Sequence, residues 1–366
     1  MVERADQVVP AMIRPRAVLA VLAAMLALGA CALGDNPHYD PSKAHHKPNG
    51  FRNPPGAGPV SESHPLRFAR FVTRRFLDDR QVVLPPDFVV APADARAMLT
   101  SLETRNRVTW IGHATTLIGL DGVNILTDPI FTPYASPWPI KVERWVPPGL
   151  TVDDLPPLDA IVISHAHYDS LDLPSLRLIA ARQPGVRVLV PLGLGPLVRG
   201  TGLANLREMD WYDRETLGAV TIQATPAIHN SQRSLIDKNF TLWSGFMLRG
   251  RDLAVWFSGD TAPGPLFDRV RDRAGRADVA LVPIGAYQPA WLMKGKHTTP
   301  EEAAALARRL GASRAIGIHW GTFPLGEDPP LQTRDRFLAT KKAGFTPQLL
   351  RIGETLALEK PPRPAR

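Results

Sequence analysis

The chain predicts an α/β sandwich with its site along one edge, and three observations lead there. Short apolar, β-branched runs recur from Val108 onward, as buried strands do. Segments with helix-start signals stand between them. The clearest is Thr299-Pro300-Glu301-Glu302, where a capping hydroxyl, a proline at the first helical position and acids in the first turn coincide. Finally, several apolar runs end on a histidine or an aspartate, which is how a rigid scaffold delivers polar side chains to a common rim.

At 366 residues, with 44% apolar and 21% charged residues, the chain has a globular balance and room for one large or two ordinary domains. A net charge of +8 favours anionic partners, but the cations are scattered, as at Arg67, Arg70, Arg74 and Arg75 or Arg308 and Arg309. No nucleic-acid module is recognisable. The 37 prolines concentrate in connections such as Pro54-Pro55, Pro147-Pro148, Pro156-Pro157 and Pro329-Pro330, which predicts many short loops.

Residues 1–30 read as a targeting segment. Arg14 and Arg16 precede an uncharged apolar run, Ala17 to Ala30, of signal-peptide rather than membrane-spanning length. The run ends Leu28-Gly29-Ala30-Cys31, which resembles the lipobox of bacterial lipoproteins, where the cysteine is lipidated and becomes the new N-terminus. Cys31 is the only cysteine, so an internal disulfide is excluded. Ala32 in the next position favours outer-membrane sorting in a Gram-negative cell, so a lipid-anchored protein facing the periplasm is expected. Residues 31–60 turn to Pro, Gly, Asn, His and Lys and read as a flexible tether. His38, His45 and His46 are expected there as solvated side chains rather than metal ligands. Residues 61–104 form an N-terminal extension, with a roughly helical apolar spacing from Leu66 to Leu77 that is expected to pack on the main domain.

The main domain, 105–360, opens with strand, turn and strand from Val108 to Leu120. Asp121-Gly122 marks a hairpin, and a third strand, Val123 to Thr127, ends at Asp128. Further strands are predicted at 186–190, 219–224, 241–248, 253–258, 279–283 and 315–319, and helices at 175–181, 265–273 and 299–310.

The chemistry concentrates in Ile161-Val162-Ile163-Ser164-His165-Ala166-His167-Tyr168-Asp169-Ser170-Leu171-Asp172. Alternating side chains at the end of a buried strand point the same way, so His165 and His167, and with them Asp169, are placed to converge. Imidazole and carboxylate are ligands for a borderline cation such as zinc. His229, Asp260 and His319 stand at comparable strand ends and complete the candidates.

Trp110 to Thr115, Thr127 to Phe131, Ser164 to Asp172, Val190 to Leu194, Ser258 to Thr261, Pro283 to Tyr287 and Ile318 to Phe323 together resemble the metallo-β-lactamase-fold hydrolases. Within these they resemble the N-acylphosphatidylethanolamine-hydrolysing phospholipase D branch, over roughly 105–358. The resemblance implies an αββα four-layer sandwich of two similar halves with a two-zinc site between the sheet edges. It implies that His165, His167 and His229 hold one zinc, that Asp169 and His319 serve the second, and that Asp260 bridges both. Asp128 would orient a ligand from behind, and His297 would be an active-site histidine outside the metal shell. His113 also falls in a family motif, where packing of the turn accounts for it equally well.

Two divalent ions about 3.5–4 Å apart can activate a shared water and clamp the oxygens of a phosphodiester. The implied activity is therefore hydrolysis of N-acylphosphatidylethanolamine or a related phospholipid, with Trp291, Leu292, Met293, Lys294 and Lys296 as a candidate lipid rim. A homodimer is compatible with this reading. A lactonase or esterase of the same fold, and an envelope lipoprotein that binds metal without catalysis, remain as alternatives.

The chain departs from the family pattern at Ser170. The usual run is H-x-H-x-D-H, its last histidine a ligand of the second metal. Serine hydroxyl is a poor zinc ligand, so the second site is expected to fill weakly or with a harder ion such as manganese, unless another group such as Asp172 takes the missing place.

Overall fold

A computed structural model describes residues 34–57, 67, 70, 71, 82–137, 142–234 and 236–359. The targeting segment, Cys31 and most of the 66–77 stretch lie outside these residues, although Arg67, Arg70 and Phe71 are helical and Phe71 meets the Trp291 ring edge-on at 6.4 Å.

In chain order the elements are β1 (His46–Lys47), β2 (Gly50–Phe51), α1 (Pro92–Ser101), β3 (Arg107–Gly112), β4 (Thr115–Leu120), β5 (Val123–Thr127), β6 (Ala160–Val162), α2 (Leu173–Arg182), β7 (Arg187–Pro191), α3 (Gly195–Arg199), β8 (Leu206–Met209), β9 (Arg214–Leu217), β10 (Val220–Thr225), β11 (Gly245–Arg249), β12 (Ala254–Phe257), α4 (Leu266–Ala274), β13 (Val279–Pro283), α5 (Ala290–Met293), α6 (Pro300–Arg309), β14 (Arg314–Ile318), α7 (Pro330–Leu338), β15 (Thr346–Gln348) and β16 (Thr355–Ala357). Two seven-stranded sheets result, ordered β16-β3-β4-β5-β6-β7-β8 and β15-β14-β13-β12-β11-β10-β9. Each begins antiparallel and becomes parallel, at β5 to β6 in one and at β12 to β13 in the other. These are the two similar halves that the resemblance implied.

Each strand explains its own layer position. In β6, Ala160 and Val162 join the core between the sheets, while Ile161 packs outward with Leu176 and Ile179 of α2. β5 and β7 repeat the alternation, with Ile125 and Leu189 inward and Leu126, Val188 and Val190 outward. Because both faces are covered, the strands read as continuous apolar runs rather than alternating ones. Fully burying a side chain such as Ile161 stabilises by roughly 1.5–3 kcal/mol, and its truncation to alanine costs about 2–5 kcal/mol.

The predicted hairpin forms with Asp121 and Gly122 both at positive φ, 47° and 84°. Thr299 caps α6 as read, accepting from Glu302 N–H, and Glu302 also accepts from Thr299 N–H, which completes a capping box. The 241–248 strand starts only at Gly245, since Leu242 N–H is bonded to Leu192 in the neighbouring connection. α1, α3, α5, α7 and β8, β9, β15 and β16 were not anticipated. The four strands are only 3–4 residues long, and α1, α3, α5 and α7 carry prolines at or beside their first residues.

The tether reading needs correction. Residues 34–57 are fixed to the main domain: Phe51 is buried with Trp211 and Trp243, its N–H donates to Asn239 O at 2.8 Å, and Lys43, His45 and His46 all reach the buried Asp210. A polar, aperiodic composition hid one deep aromatic and a set of ionic anchors.

Candidate metal centre

β5, β6, β10, β12 and β14 end at the same rim, and the residues that follow them converge. The convergence within the 165–169 run arises differently from the expectation. β6 stops at Val162, and the run is a turn in which Ser170 N–H and Leu171 N–H both bond to His167 O. Arg233 holds this turn, donating to Ala166 O and Leu171 O while its guanidinium lies 3.9 Å over the Tyr168 ring. Sequence reasoning missed Arg233, which carries no motif.

His165 Nε2 and His167 Nδ1 are 2.8 Å apart, and His229 Nε2 is 3.3 Å from His167 Nδ1. Nitrogens that share a tetrahedral zinc at ~2.05 Å stand about 3.3 Å apart, so the three imidazoles fit one ion. The other ring nitrogens have partners that fix the rings. His165 Nδ1 meets Ser164 Oγ at 2.8 Å, and Ser164 donates in turn to Asp128. His229 Nδ1 meets Lys296 O at 2.9 Å. Asp128 thus sits behind His165, linked to its ring through Ser164. Its burial pushes the carboxyl up to about 8, against the lowering effect of the Ser164 bonds.

Asp169 faces a second group. Its Oδ2 lies 3.2 Å from His319 Nε2 and 2.9 Å from His113 Nε2, so His113 belongs to the centre. Asp260 Oδ2 stands between the two groups, 3.9 Å from His165 Nε2, 3.8 Å from His229 Nε2 and 3.3 Å from His319 Nε2. Gly259, at φ 57°, makes this delivery possible: a Cβ there would lie 2.7 Å from Ser164 Cβ. His297 Nδ1 is 3.9 Å from the same Asp260 oxygen, buried and without a hydrogen-bond partner.

Burial pushes the imidazoles toward neutrality, His113 and His297 to about 4 and His165 to about 3, with His229 also well below the usual range. His319 goes the other way: burial lowers it, but Asp260 and Asp169 outweigh that and hold it well above 6.5. Burial alone would raise the two carboxyls, and their histidine neighbours keep both well below 3.8. Neutral imidazoles beside two anionic carboxylates suit divalent cations, and His319 would give up its proton to an ion bound there.

Ser170 is fully buried, and its hydroxyl lies close enough to Asp128 to help hold that carboxyl down without a well-formed hydrogen bond. Asp172 does not enter the centre. It caps α2, accepting from Ser175 N–H at 3.2 Å and from Thr132 Oγ1 at 2.8 Å. The proposed lipid rim is corrected in part: Leu292 and Met293 are buried, leaving Trp291, Lys294 and Lys296 to face outward to differing degrees.

Fold and site together define a metal-dependent hydrolase of the metallo-β-lactamase fold. The chain belongs to that superfamily: the beta-lactamase superfamily domain matches residues 123–320. It is 38% identical over 245 residues to the N-acyl-phosphatidylethanolamine-hydrolyzing phospholipase D 1 of Caenorhabditis elegans, covering 62% of this chain and 67% of that one. It is 32% identical over 235 residues to the mitochondrial N-acyl-phosphatidylethanolamine-hydrolyzing phospholipase D of Saccharomyces cerevisiae, covering 62% and 50%. Among solved structures, a metallo hydrolase from Ignicoccus hospitalis superposes with a TM-score of 0.54 at 21% identity, over 70% of this chain and 99% of the other.

Proposed function

We propose that the protein is a two-zinc phosphodiesterase of phospholipase D type, acting on N-acylphosphatidylethanolamine or a related phospholipid. The observation that carries this reading is His297, whose unpaired Nδ1 lies 3.9 Å from Asp260 Oδ2, at the position where the resemblance implies an active-site histidine. The similarity to the nematode and yeast enzymes supports it.

In the reaction a water oxygen attacks phosphorus, the bond from phosphorus to the alcohol oxygen breaks, and a proton passes to the alcohol, leaving a phosphomonoester. Bound divalent ions supply Lewis acidity and lower the pKa of the attacking water. His165, His167 and His229 would hold one ion, Asp169 and His319 the other, with Asp260 between them. Ser164 and Asp128 keep His165 oriented, and Lys296 O does the same for His229. Neutral His297 binds a phosphate oxygen through its N–H or moves the proton of the attacking water.

We place this enzyme at the periplasmic face of the outer membrane, held by lipidated Cys31, where its substrate is part of the same surface. Among the described residues no helix is long and apolar enough to cross a membrane.

Side-by-side turnover of N-acylphosphatidylethanolamine and a lactone by the zinc-loaded full chain tests the proposal. Cleavage of the phosphodiester alone is expected, with His167→Ala inactive but folded. Preferential lactone cleavage would establish the lactonase alternative, and inactivity on both the non-catalytic one.

A further inference from the structure

We propose that His113 is a ligand of the second metal and takes the place that Ser170 vacates. This rests on the reading of the centre as a two-metal site.

Three ligand atoms stand together on that side. Asp169 Oδ2 is 2.9 Å from His113 Nε2 and 3.2 Å from His319 Nε2, and His319 Nε2 is 3.3 Å from Asp260 Oδ2. These separations match those of the three-histidine group and approach the ~3.3 Å between ligands of one tetrahedral ion. Ser170 offers only a hydroxyl, and Asp172 is occupied in capping α2. With His113 the second group holds two imidazoles and two carboxylates, a set that suits zinc as readily as a harder ion.

The backbone is built to hold His113 there. The residue sits at φ 54° and His319 at φ 59°, conformations that non-glycine residues adopt mainly where the surroundings enforce them. The surroundings do so here: His113 N–H donates to Thr322 Oγ1 at 2.9 Å, and its carbonyl accepts from Trp110 Nε1 and from His319 N–H, each at 2.9 Å. His113 and His319 are therefore locked together by main chain, and their ring centroids are 4.0 Å apart.

The competing account makes His113 only a hydrogen-bond donor that steadies Asp169. Glutamine separates the two, since its amide can donate from nearly the same point as Nε2 but binds zinc poorly. Metal-free full chain is equilibrated with Zn(II), and separately with Co(II), and bound metal is measured by mass spectrometry and by the cobalt absorption spectrum. Two ions per chain are expected for the unmodified protein. His113→Gln should bind its second ion at least about tenfold more weakly, and His113→Gln with Ser170→His should recover two. An unchanged second affinity in His113→Gln, or a single ion in the unmodified protein, overturns the assignment.

If His113→Gln fails to fold, His113→Asn provides a residue that tolerates positive φ. The unmodified Co(II) protein gives a further readout: five paramagnetically shifted imidazole N–H signals with His113 ligating, four without. Two ions with no turnover of N-acylphosphatidylethanolamine support the ligand assignment and sink the proposed substrate. Turnover with one ion bound does the reverse.

Discussion

The Asn53 side chain brackets the backbone of His229: its amide donates to His229 O at 2.8 Å and its carbonyl oxygen accepts from His229 N–H at 3.0 Å. A residue from the N-terminal segment thereby fixes a ligand 176 positions further along. In Asn53→Ala both backbone groups lose their partner, which should cost about 1–3 kcal/mol of stability. Since supports behind a ligand are typically worth about 10–100-fold in metal affinity, zinc at the three-histidine group should weaken by that order. Competitive chelator titration and thermal melting check this, and an unchanged zinc affinity would reduce Asn53 to a docking contact.

The same segment is held at Asp210, which accepts from Lys43 at 2.6 Å and faces His45 Nε2 at 2.7 Å and His46 Nε2 at 3.1 Å. Burial pushes His46 below 6.5, so docking favours its neutral form. That contribution is complete above pH 6.5 and is lost as pH falls from there toward the lowered value. Asp210 is held well below 3.8: burial would raise it, but the bonds from His45 and Lys43 outweigh that, so its contribution persists to much lower pH. Hydrogen exchange of residues 34–53 should therefore accelerate as pH drops below 6.5, after correction for the intrinsic rate, while the sheet core stays protected. Asp210→Asn should expose the segment at every pH. Protection that falls only below 3.8 would assign the whole effect to Asp210.

The sheets and most of the centre were legible because their signals are local. Buried strands with both faces covered spell themselves as apolar runs, and His165, His167, Asp169, His229, Asp260 and His319 each stand just past such a run. What escaped depended on distant parts of the chain. Asn53 has no motif, and its partner is main chain. His113 was visible as a residue but not as a member of the centre, because its position relative to Asp169 is set by the His319 backbone. The docked 34–57 segment was read as a tether because a handful of anchors to Asp210 and the Trp211 and Trp243 rings leave no periodic trace.

Cys31 makes a prediction about place. Two or three acyl chains on one terminus, at ~0.8 kcal/mol per buried methylene, exceed the marginal hold of a single myristoyl group by a wide margin. The protein should therefore require detergent for extraction, and Cys31→Ser should abolish lipidation and release it from the membrane fraction. Membrane retention of a processed Cys31→Ser protein would remove the anchor from the proposal.

His297 yields the last prediction. Its Nδ1 lies 3.9 Å from Asp260 Oδ2 and has no other partner, so the ring is free to serve a substrate. Burial pushes it down to about 4 despite the nearby Asp260 charge, and bound cations would push it in the same direction. It is thus neutral throughout the physiological range, able to donate through one nitrogen and accept through the other. Its folded value lies below the unfolded 6.5, so the neutral ring contributes fully above pH 6.5, and protonation removes its role only near pH 4. His297→Ala should lower kcat by about 10²–10⁴-fold, the usual worth of a positioned acid or base, with metal content unchanged. The ratio of unmodified to variant rates, measured at saturating zinc, should stay level from about pH 8 to 5 and fall only toward 4. A ratio that drops through pH 6.5 would mark an ordinary exposed imidazole. A variant that loses metal along with activity would mark a ligand rather than a catalytic residue.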